Sequence, residues 1–130
     1  KTAIKPGKPI LFAKLKSGTT VFALPGNPIS TAVGFRFFIV PFLQKILSFP
    51  KKEKQKAILT SSGKKKKGMT FFLKSQSFLN LNQQMCARIL QGQESFRMHP
   101  LLETNGWVVL EEHVEEYNSG DVVTFIPLRE

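Results

Sequence analysis

The feature that most constrains this chain is a strand, a turn and a helix that follow one another directly within residues 19–39. The apolar, β-branched run at residues 20–24 predicts a short buried strand, and a long segment with helical apolar periodicity begins at Pro28. A turn at residues 24–30 joins the two. Because the strand passes straight into the helix, the first helical turn lies at the end of the sheet, where a ligand can reach it.

The turn at residues 24–30 combines residue types suited to an anion. Asn27 is a good N-cap, and Pro28 suits the first helical position because proline lacks the N–H that would stay unpaired there. Ser30 places its hydroxyl beside free backbone N–H groups and the positive end of the helix dipole, and Gly26 allows close approach of a ligand. We therefore predict an oxyanion site that includes Pro25, Gly26, Asn27, Pro28 and Ser30. The alternative is an ordinary strand-to-helix turn.

A second candidate anion-binding turn comes earlier, in the motif Lys-Pro-Gly-Lys-Pro at residues 5–9. Two prolines and a glycine restrict its backbone, so less chain freedom is lost when its lysines meet a multiply charged anion. The candidate residues are Lys5, Gly7, Lys8 and Pro9. The alternative is that the two lysines only keep a surface loop soluble.

Two apolar runs connect these turns. Residues 9–15 and residues 19–24 are separated by a tight Lys-Ser-Gly-Thr connection, which predicts neighbouring strands in one sheet. Both turns then lie at the same end of that sheet, so we expect them to converge on one ligand.

The helix that begins at Pro28 is predicted to run to about Ser48, because apolar residues recur at three- and four-residue steps. Further apolar side chains cover much of its remaining surface. We therefore expect it to be buried on two sides, against its sheet and against another domain or subunit. Pro41 is expected to kink or break the helix because it removes one backbone hydrogen bond.

The second half of the chain contains short apolar runs separated by glycine, asparagine and serine turns, which favours a small all-β barrel or sandwich. The predicted strands are residues 57–60, 69–74, 85–90, 107–110 and 122–127. No catalytic residues can be assigned, because no Ser/His/Asp set or carboxylate pair has convincing spacing. His99 and His113 fall in predicted loops without metal-ligand spacing, so the sequence predicts no metal site.

The positive charge is concentrated in one stretch. Residues 51–67 carry eight lysines against Glu53, a net charge of +7 out of +10 for the whole chain. With its proline, serine and glycine residues, this stretch is typical of a solvated linker around one short strand. The alternative is a basic surface for nucleic acid or an acidic partner. We disfavour nucleic acid because no aromatic residues interleave with the lysines.

Composition narrows the class of protein further. The single cysteine, Cys86, excludes an internal disulfide framework and suits a reducing compartment such as the cytoplasm; its apolar run favours a core thiol. No apolar stretch reaches about 18 residues without a charge, so we expect no membrane span. The chain begins at Lys1 with no signal-peptide pattern, and we expect it to be a piece of a longer protein.

At this point the motifs carry a family resemblance. The turns at residues 5–9 and 24–30, at this spacing and followed by a helix with Gly34 and Pro41, resemble the closing part of the molybdopterin molybdenumtransferase family, which includes MoeA and the gephyrin E domain. The second half resembles that family's small carboxy-terminal β-domain through residues 68–74, 91–92, 105–110 and 119–123. The resemblance covers nearly all of the chain.

The resemblance implies a fold of class α/β followed by all-β. Residues 1–48 would end a MogA-like α/β molybdopterin-binding domain, residues 49–56 would form a linker, and residues 57–130 would form a C-terminal β-barrel or sandwich domain. It also implies an enzyme that inserts molybdate into adenylylated molybdopterin with release of AMP, using a divalent cation such as Mg²⁺. We expect the full-length protein to be a cytoplasmic homodimer.

By this similarity the two turns line the anion pocket. Lys5 and Lys8 would neutralise molybdate or a phosphate, the N–H groups after Asn27 would hold an oxyanion, and Ser30 would donate a hydrogen bond to it. Such a site acts mainly by placing anions that repel one another side by side.

The chain departs from the family pattern in three ways. The family's acidic metal ligands and its Gly-Gly-rich, Asp-bearing motif lie upstream of the first motif, so we expect this chain alone to bind metal poorly and to be inactive. Residues 91–94 are Gln-Gly-Gln-Glu where the family usually has Gln-Gly-Ser-Gly, and Lys74 stands where relatives often carry arginine. A non-catalytic scaffold of the same fold, with the apolar helix as a binding surface, stays open as an alternative.

Overall fold

The computed structural model describes residues 2–50 and 53–128. The first strand, β1 (Ile4–Lys5), is too short for the sequence to predict. The predicted two-stranded sheet is confirmed: β2 (Leu11–Lys14) pairs antiparallel with β3 (Thr20–Ala23). The start of β2 and the end of β3 therefore lie at the same end of this hairpin.

The predicted helix spans Pro28–Ile46 and does not continue to Ser48, whose φ of 55° lies in the left-handed region. It consists of α1 (Pro28–Gly34), a π-helical segment (Phe35–Ile39) and α2 (Val40–Ile46). In place of the expected kink or break at Pro41, the Val40 N–H donates to the Phe35 carbonyl in a widened turn. Pro41 then falls in the first turn of α2, where a missing N–H costs little.

The second half closes into a five-stranded barrel. Its strands are β4 (Gln55–Leu59), β6 (Thr70–Leu79), β7 (Met85–Ile89), β8 (Gly106–Leu110) and β10 (Val122–Pro127). They pair in the order β6, β7, β4, β10, β8 and back to β6. The five predicted strands are thus the five that form the barrel, and the alternative of a sandwich does not hold because the sheet has no open edge.

Shorter elements surround the barrel. β5 (Gly63–Lys64) pairs antiparallel with β9 (Glu116–Tyr117), and a 3₁₀ helix (His99–Leu102) follows the loop after β7. β4 begins at Gln55, inside the predicted linker at residues 49–56. Lys51 and Lys52 of that linker, and the last two residues of the predicted β-domain, lie outside the described residues.

The barrel interior holds one hydrophobic core. It consists of the buried residues Ala57, Leu59, Leu73, Ala87, Val108, Leu110, Val123 and Phe125. Cys86 on β7 is buried as well, as the sequence predicts for a core thiol.

A second core lies between the helix and the outside of the barrel. It consists of Ile4, Ile10, Ile29, Val33, Phe72 and Trp107. The Phe37 ring stacks on the Phe72 ring with 4.0 Å between centroids, and it meets Trp107 edge-on at 6.3 Å. One continuous core therefore contains side chains from both of the predicted domains.

The opposite face of the hairpin and helix is apolar and exposed. Phe12, Phe22 and Phe42 contact one another edge to face, yet 60% of Phe12 and 60% of Ile46 remain accessible to solvent. By length and composition alone, Pro28–Ile46 would be able to cross a membrane, a test that core helices of water-soluble proteins also pass. The expectation that the helix is covered on two sides is met here on its barrel side only.

Gly106 tests the packing at the mouth of the barrel. A Cβ at this buried position would collide with the Phe125 ring and lie 2.7 Å from the Ile126 carbonyl oxygen. We expect Gly106→Ala to lower the free energy of unfolding by about 2–3 kcal/mol, because the neighbouring backbone cannot move aside. Gly26→Ala is the control, since nothing lies within 4 Å of its Cβ position. Urea unfolding measures both, and equal stability of the two variants would contradict the packing described.

Tyr117 gives the chain a pH dependence in the alkaline range. Burial raises the pKa of the Tyr117 phenol above its ordinary value of 10.0. The folded state therefore keeps a proton that the unfolded state releases, so this group's contribution to stability is present below pH 10.0 and is lost as the pH rises further. We expect the free energy of unfolding of the wild type to fall relative to that of Tyr117→Phe above this pH. Parallel urea titrations at neutral and alkaline pH measure the difference, and a constant difference would refute the assignment.

Candidate functional site

A cavity of about 270 Å³ lies where the turn at residues 5–9, the start of the helix and the barrel meet. The turn contributes Lys5, Gly7, Lys8 and Pro9 to its wall, and α1 contributes Ser30. The barrel side is formed by Met69, Gln93 and Ser95. Five of the nine candidate residues from the sequence therefore surround one cavity.

Two features hold the turn against the start of the helix. β1 pairs in parallel with β6, with Lys5 opposite Phe71, so the turn begins at the barrel surface. Gly7 has φ of 104°, and a Cβ there would lie 3.2 Å from Ile4 and Ile10 side-chain atoms and 3.7 Å from the Ser30 carbonyl oxygen. A glycine is required at this position both by its left-handed backbone and by the close approach.

The start of the helix uses its own N–H groups differently from the sequence expectation. Asn27 caps α1: its Oδ1 accepts hydrogen bonds from the N–H of Ile29 at 3.1 Å and of Ser30 at 3.3 Å. The Thr31 N–H donates to the Asn27 carbonyl. The N–H groups that were expected to hold an oxyanion are therefore already satisfied, and α1 can contribute only its dipole and the Ser30 side chain.

The other four candidate residues do not line this cavity. Pro25, Gly26, Asn27 and Pro28 form the turn behind Ser30, where the Thr31 hydroxyl donates to the Pro25 and Asn27 carbonyls. Their observed role is to shape the start of the helix. Ser30 itself lines the cavity and is only 7% exposed.

A larger open cleft of about 1000 Å³ adjoins the small cavity, and Lys5, Pro6 and Gln93 line both. Its lining carries both signs of charge, with Arg88 and Lys5 on one hand and Glu94 and Glu103 on the other, together with hydroxyl-bearing residues at positions 60–62. The Lys5 ammonium lies 5.4 Å from the centroid of the Phe71 ring, at the boundary between the two spaces. A ligand with a small anionic part and a larger organic part would fit this arrangement.

The loop at residues 91–97 contributes Gln93 to both spaces; the sequence analysis named residues 91–92 for the family resemblance and residues 91–94 as a departure from a family motif, and assigned the loop no place in the site. Met69 and Ser95 were not singled out at all. The sequence does carry a local signal for the loop, because Gly92 comes shortly after the end of β7 and glycine is typical of turns. In the structure Gly92 has φ of 73°. Nothing in the sequence shows that this turn meets residues 5–9.

The basic stretch faces acidic groups. Lys64 forms an ion pair with Glu116 at 2.5 Å across the β5–β9 pair, and the Lys65 ammonium donates to the Met69 carbonyl at 2.7 Å. Burial lowers the pKa of Lys65, and the nearby carboxylates of Glu111, Glu112 and Glu115 oppose that shift. The four lysines at residues 64–67 thus lie beside a loop with four glutamates at residues 111–116, which weakens the case for a nucleic-acid surface.

Within residues 2–50 and 53–128, no three His, Cys, Asp or Glu side chains are grouped closely enough to hold a metal ion.

Comparisons with known proteins agree with this architecture. Residues 56–128 match the family "MoeA C-terminal region (domain IV)". The chain is 32% identical to a molybdopterin molybdenumtransferase of Haemophilus influenzae over 98% of its own length and 32% of that protein. It is also 43% identical over 61 residues to gephyrin of Dictyostelium discoideum, a match to 35% of this chain and 8% of that protein.

A solved structure shows the same fold. The molybdopterin biosynthesis moeA protein of Pyrococcus horikoshii OT3 superposes with a TM-score of 0.78 at 29% sequence identity, over 95% of this chain and 30% of that one. The chain thus spans about a third of the length of the protein of known structure, and the same share of the Haemophilus influenzae relative.

Variants of Asn27 test whether this residue acts as the cap of the helix. Asn27→Ala removes the acceptor for the Ile29 and Ser30 N–H groups, so we expect the free energy of unfolding to fall by about 1 kcal/mol. Asn27→Asp keeps an acceptor oxygen at the same place and should keep the stability. Thermal unfolding of the two variants beside the wild type measures the effect, and unchanged stability of Asn27→Ala would argue against the cap.

Proposed function

The chain belongs to the MoeA family through that family's C-terminal region (domain IV), and on this premise we propose that it forms the closing part of an enzyme of molybdenum cofactor biosynthesis. In the proposed reaction the enzyme inserts molybdate into adenylylated molybdopterin and releases AMP. The chain spans 32% of the Haemophilus influenzae molybdopterin molybdenumtransferase, so the reaction is proposed for a longer protein in which this region acts. Residues 1–48 would then end a MogA-like α/β domain.

The observation that carries this proposal is the small cavity with two lysines and a buried serine, next to a much larger cleft. A cavity of about 270 Å³ has room for a tetrahedral oxoanion or one phosphate group, and the cleft has room for the bulky organic part of a nucleotide-like substrate. Lys5 stands at the boundary, where it can face both anions.

The residues of this chain would act by binding and positioning. The Lys5 and Lys8 ammonium groups supply positive charge that offsets the repulsion between molybdate and the substrate phosphate. The Ser30 hydroxyl donates a hydrogen bond to an anion oxygen, and the dipole of α1 favours negative charge there. Holding two anions side by side in a fixed geometry removes much of the entropic cost of their reaction.

A divalent cation would supply further charge neutralisation, but the described residues do not offer a ligand set for one. We derive no step through it from this chain, and its ligands are proposed to lie outside these residues. A homodimer and a cytoplasmic location belong to the same proposal. The exposed apolar side chains of the hairpin and helix, such as Phe12 and Ile46, support a contact with a further domain or subunit.

A non-catalytic, protein-binding scaffold of the same fold is the second candidate. The same exposed apolar face favours it, because a surface of this kind commonly binds another protein. The two candidates differ in whether the small cavity matters for cofactor synthesis.

A chimera tests the proposal. This chain would replace the matching region of the Haemophilus influenzae relative, and molybdenum cofactor formation would be measured in cells that lack their own molybdenumtransferase. We expect Lys8→Ala and Ser30→Ala each to reduce cofactor formation about tenfold or more, since each removes a group that binds the anion. A doubly substituted control, Lys66→Gln with Lys67→Gln, should leave it unchanged because these exposed lysines lie outside both cavities.

The opposite pattern would sink the enzymatic role. If the lysine-to-glutamine control abolishes cofactor formation while Lys8→Ala and Ser30→Ala leave it intact, the two motifs do not form the site. A folded chimera without any cofactor synthesis would favour the scaffold.

A further inference from the structure

The loop at residues 91–97 is tied to one residue of β6. Lys74 is only 1% exposed, and its ammonium donates to the carbonyls of Gly92 at 2.7 Å, Glu94 at 3.2 Å and Arg97 at 3.0 Å. All three protons of this ammonium thus go to backbone oxygens of a single loop. An uncompensated buried charge would be costly, and here the loop itself supplies the compensation.

The Gln93 side chain in turn bonds to the backbone of Lys74. Its side-chain oxygen accepts from the Lys74 N–H at 2.9 Å, and its amide nitrogen donates to the Lys74 carbonyl at 2.8 Å and to the Leu90 carbonyl at 2.7 Å. The Gln93 side chain therefore continues the hydrogen bonding of β6 beyond the point where β7 ends. Lys74 and Gln93 hold one another, and we call this pair the staple.

The position of the staple connects it to the site. Gln93 lines both the small cavity and the large cleft, and Ser95 lines the small cavity opposite the Lys5–Lys8 turn. If residues 91–97 moved, the barrel-side wall of the small cavity would lose Gln93 and Ser95 and keep only Met69.

We propose that Lys74 and Gln93 are positioning residues, which hold residues 91–97 as a fixed wall on the barrel side of the small cavity and so keep Gln93 and Ser95 opposite the bound anion. This inference rests on the proposed function for the identity of the ligand. Neither residue is proposed to contact the reacting atoms, because both hydrogens of the Gln93 amide and all three of the Lys74 ammonium are already engaged within the protein.

The surroundings of Lys74 agree with such a role. Burial lowers the pKa of its ammonium from the ordinary value of 10.5, nearby Glu94 opposes that shift, and Arg97 adds to it. Both charged neighbours belong to the loop itself, where they pair with each other at 3.2 Å. The ammonium is therefore held in place by the loop that it organises, and displacement of either would expose a buried charge or three unpaired carbonyls.

The test uses the full 130-residue chain, with molybdate and inorganic phosphate as probes and amide hydrogen exchange as a second measurement. Lys74→Met removes the donors but keeps the length of the apolar stem, and Lys74→Arg keeps a charged donor. Gln93→Ala removes the return contacts without changing any charge. Lys56→Met is the matched control, because Lys56 is exposed on β4 and lines neither cavity.

We expect Lys74→Met and Gln93→Ala to raise the Kd for molybdate about tenfold and to speed amide exchange at residues 92–97 by at least about tenfold. Amide exchange in the strands of the barrel should stay unchanged. Lys74→Arg keeps a charged donor, so its Kd for molybdate and its exchange at residues 92–97 should stay close to those of the wild type. If Lys74→Met does not fold, Gln93→Ala and Lys74→Arg decide the question.

Two results would overturn the inference. If a folded Gln93→Ala variant has the same amide exchange at residues 92–97 and the same Kd for molybdate as the wild type, the staple does not hold residues 91–97 in place. A uniform rise in exchange across the whole barrel would show a role in global stability only. If the wild type binds neither molybdate nor phosphate, these 130 residues do not form an oxoanion site by themselves and the chimera decides the proposed function, whereas slow exchange of residues 92–97 that depends on Lys74 would still support the staple.

Discussion

Strand β6 is the constraint on which the rest of the molecule depends, because four consecutive residues of it each hold a different part. Phe71 lies opposite Lys5 and so anchors the first turn, while Phe72 stacks on Phe37 and anchors the helix. Leu73 faces the barrel core, and Lys74 organises the loop at residues 91–97. Side chains alternate between the two faces of a strand, but β6 is packed on both faces here, so every position is occupied. The turn at residues 5–9, the helix and the loop at residues 91–97 all contact this one strand, and the small cavity lies between them.

This arrangement explains why the site consists of point charges and a hydroxyl. The cap by Asn27 occupies the first N–H groups of α1, which is the usual way for a helix to satisfy them when no anion is bound. The groups that the proposed function assigns to the ligand are the ammonium groups of Lys5 and Lys8 and the Ser30 hydroxyl, whose residues line the cavity. Ammonium groups rotate freely and accept many geometries, whereas a set of backbone N–H groups would favour one. In the proposed function, the walls of the cavity therefore restrict the shape of the anion.

Much of the fold was predictable from local pattern. The five barrel strands are apolar runs bounded by turn residues, and the hairpin and the start of the helix follow from Pro9, Gly18 and the Asn27–Pro28 pair. The two-residue strands β1, β5 and β9 were not predictable, because two residues carry no periodicity. The π-helical segment was not predicted. Proline chemistry indicates that the helix is disturbed near Pro41, but it does not show that the backbone responds with a widened turn at residues 35–39. The barrel-side wall of the cavity depends on contacts between residues about 90 positions apart, for which a single sequence holds no signal.

The wall has a consequence for ligand selection. On the barrel side of the cavity, Met69 offers no side-chain hydrogen-bond donor, and the Gln93 amide has spent both of its hydrogens on the Lys74 and Leu90 carbonyls, so the Ser95 hydroxyl is what that wall offers to an anion. In the proposed function, most of the attraction comes from the Lys5–Lys8 turn and from Ser30, which line the other side of the cavity. An anion that is held from one side and bounded on the other is selected by its charge and volume more than by its hydrogen-bonding pattern. In the proposed function, molybdate and phosphate are both tetrahedral but differ in size and in protonation, so the position of the wall acts together with the two lysines on which of them is preferred.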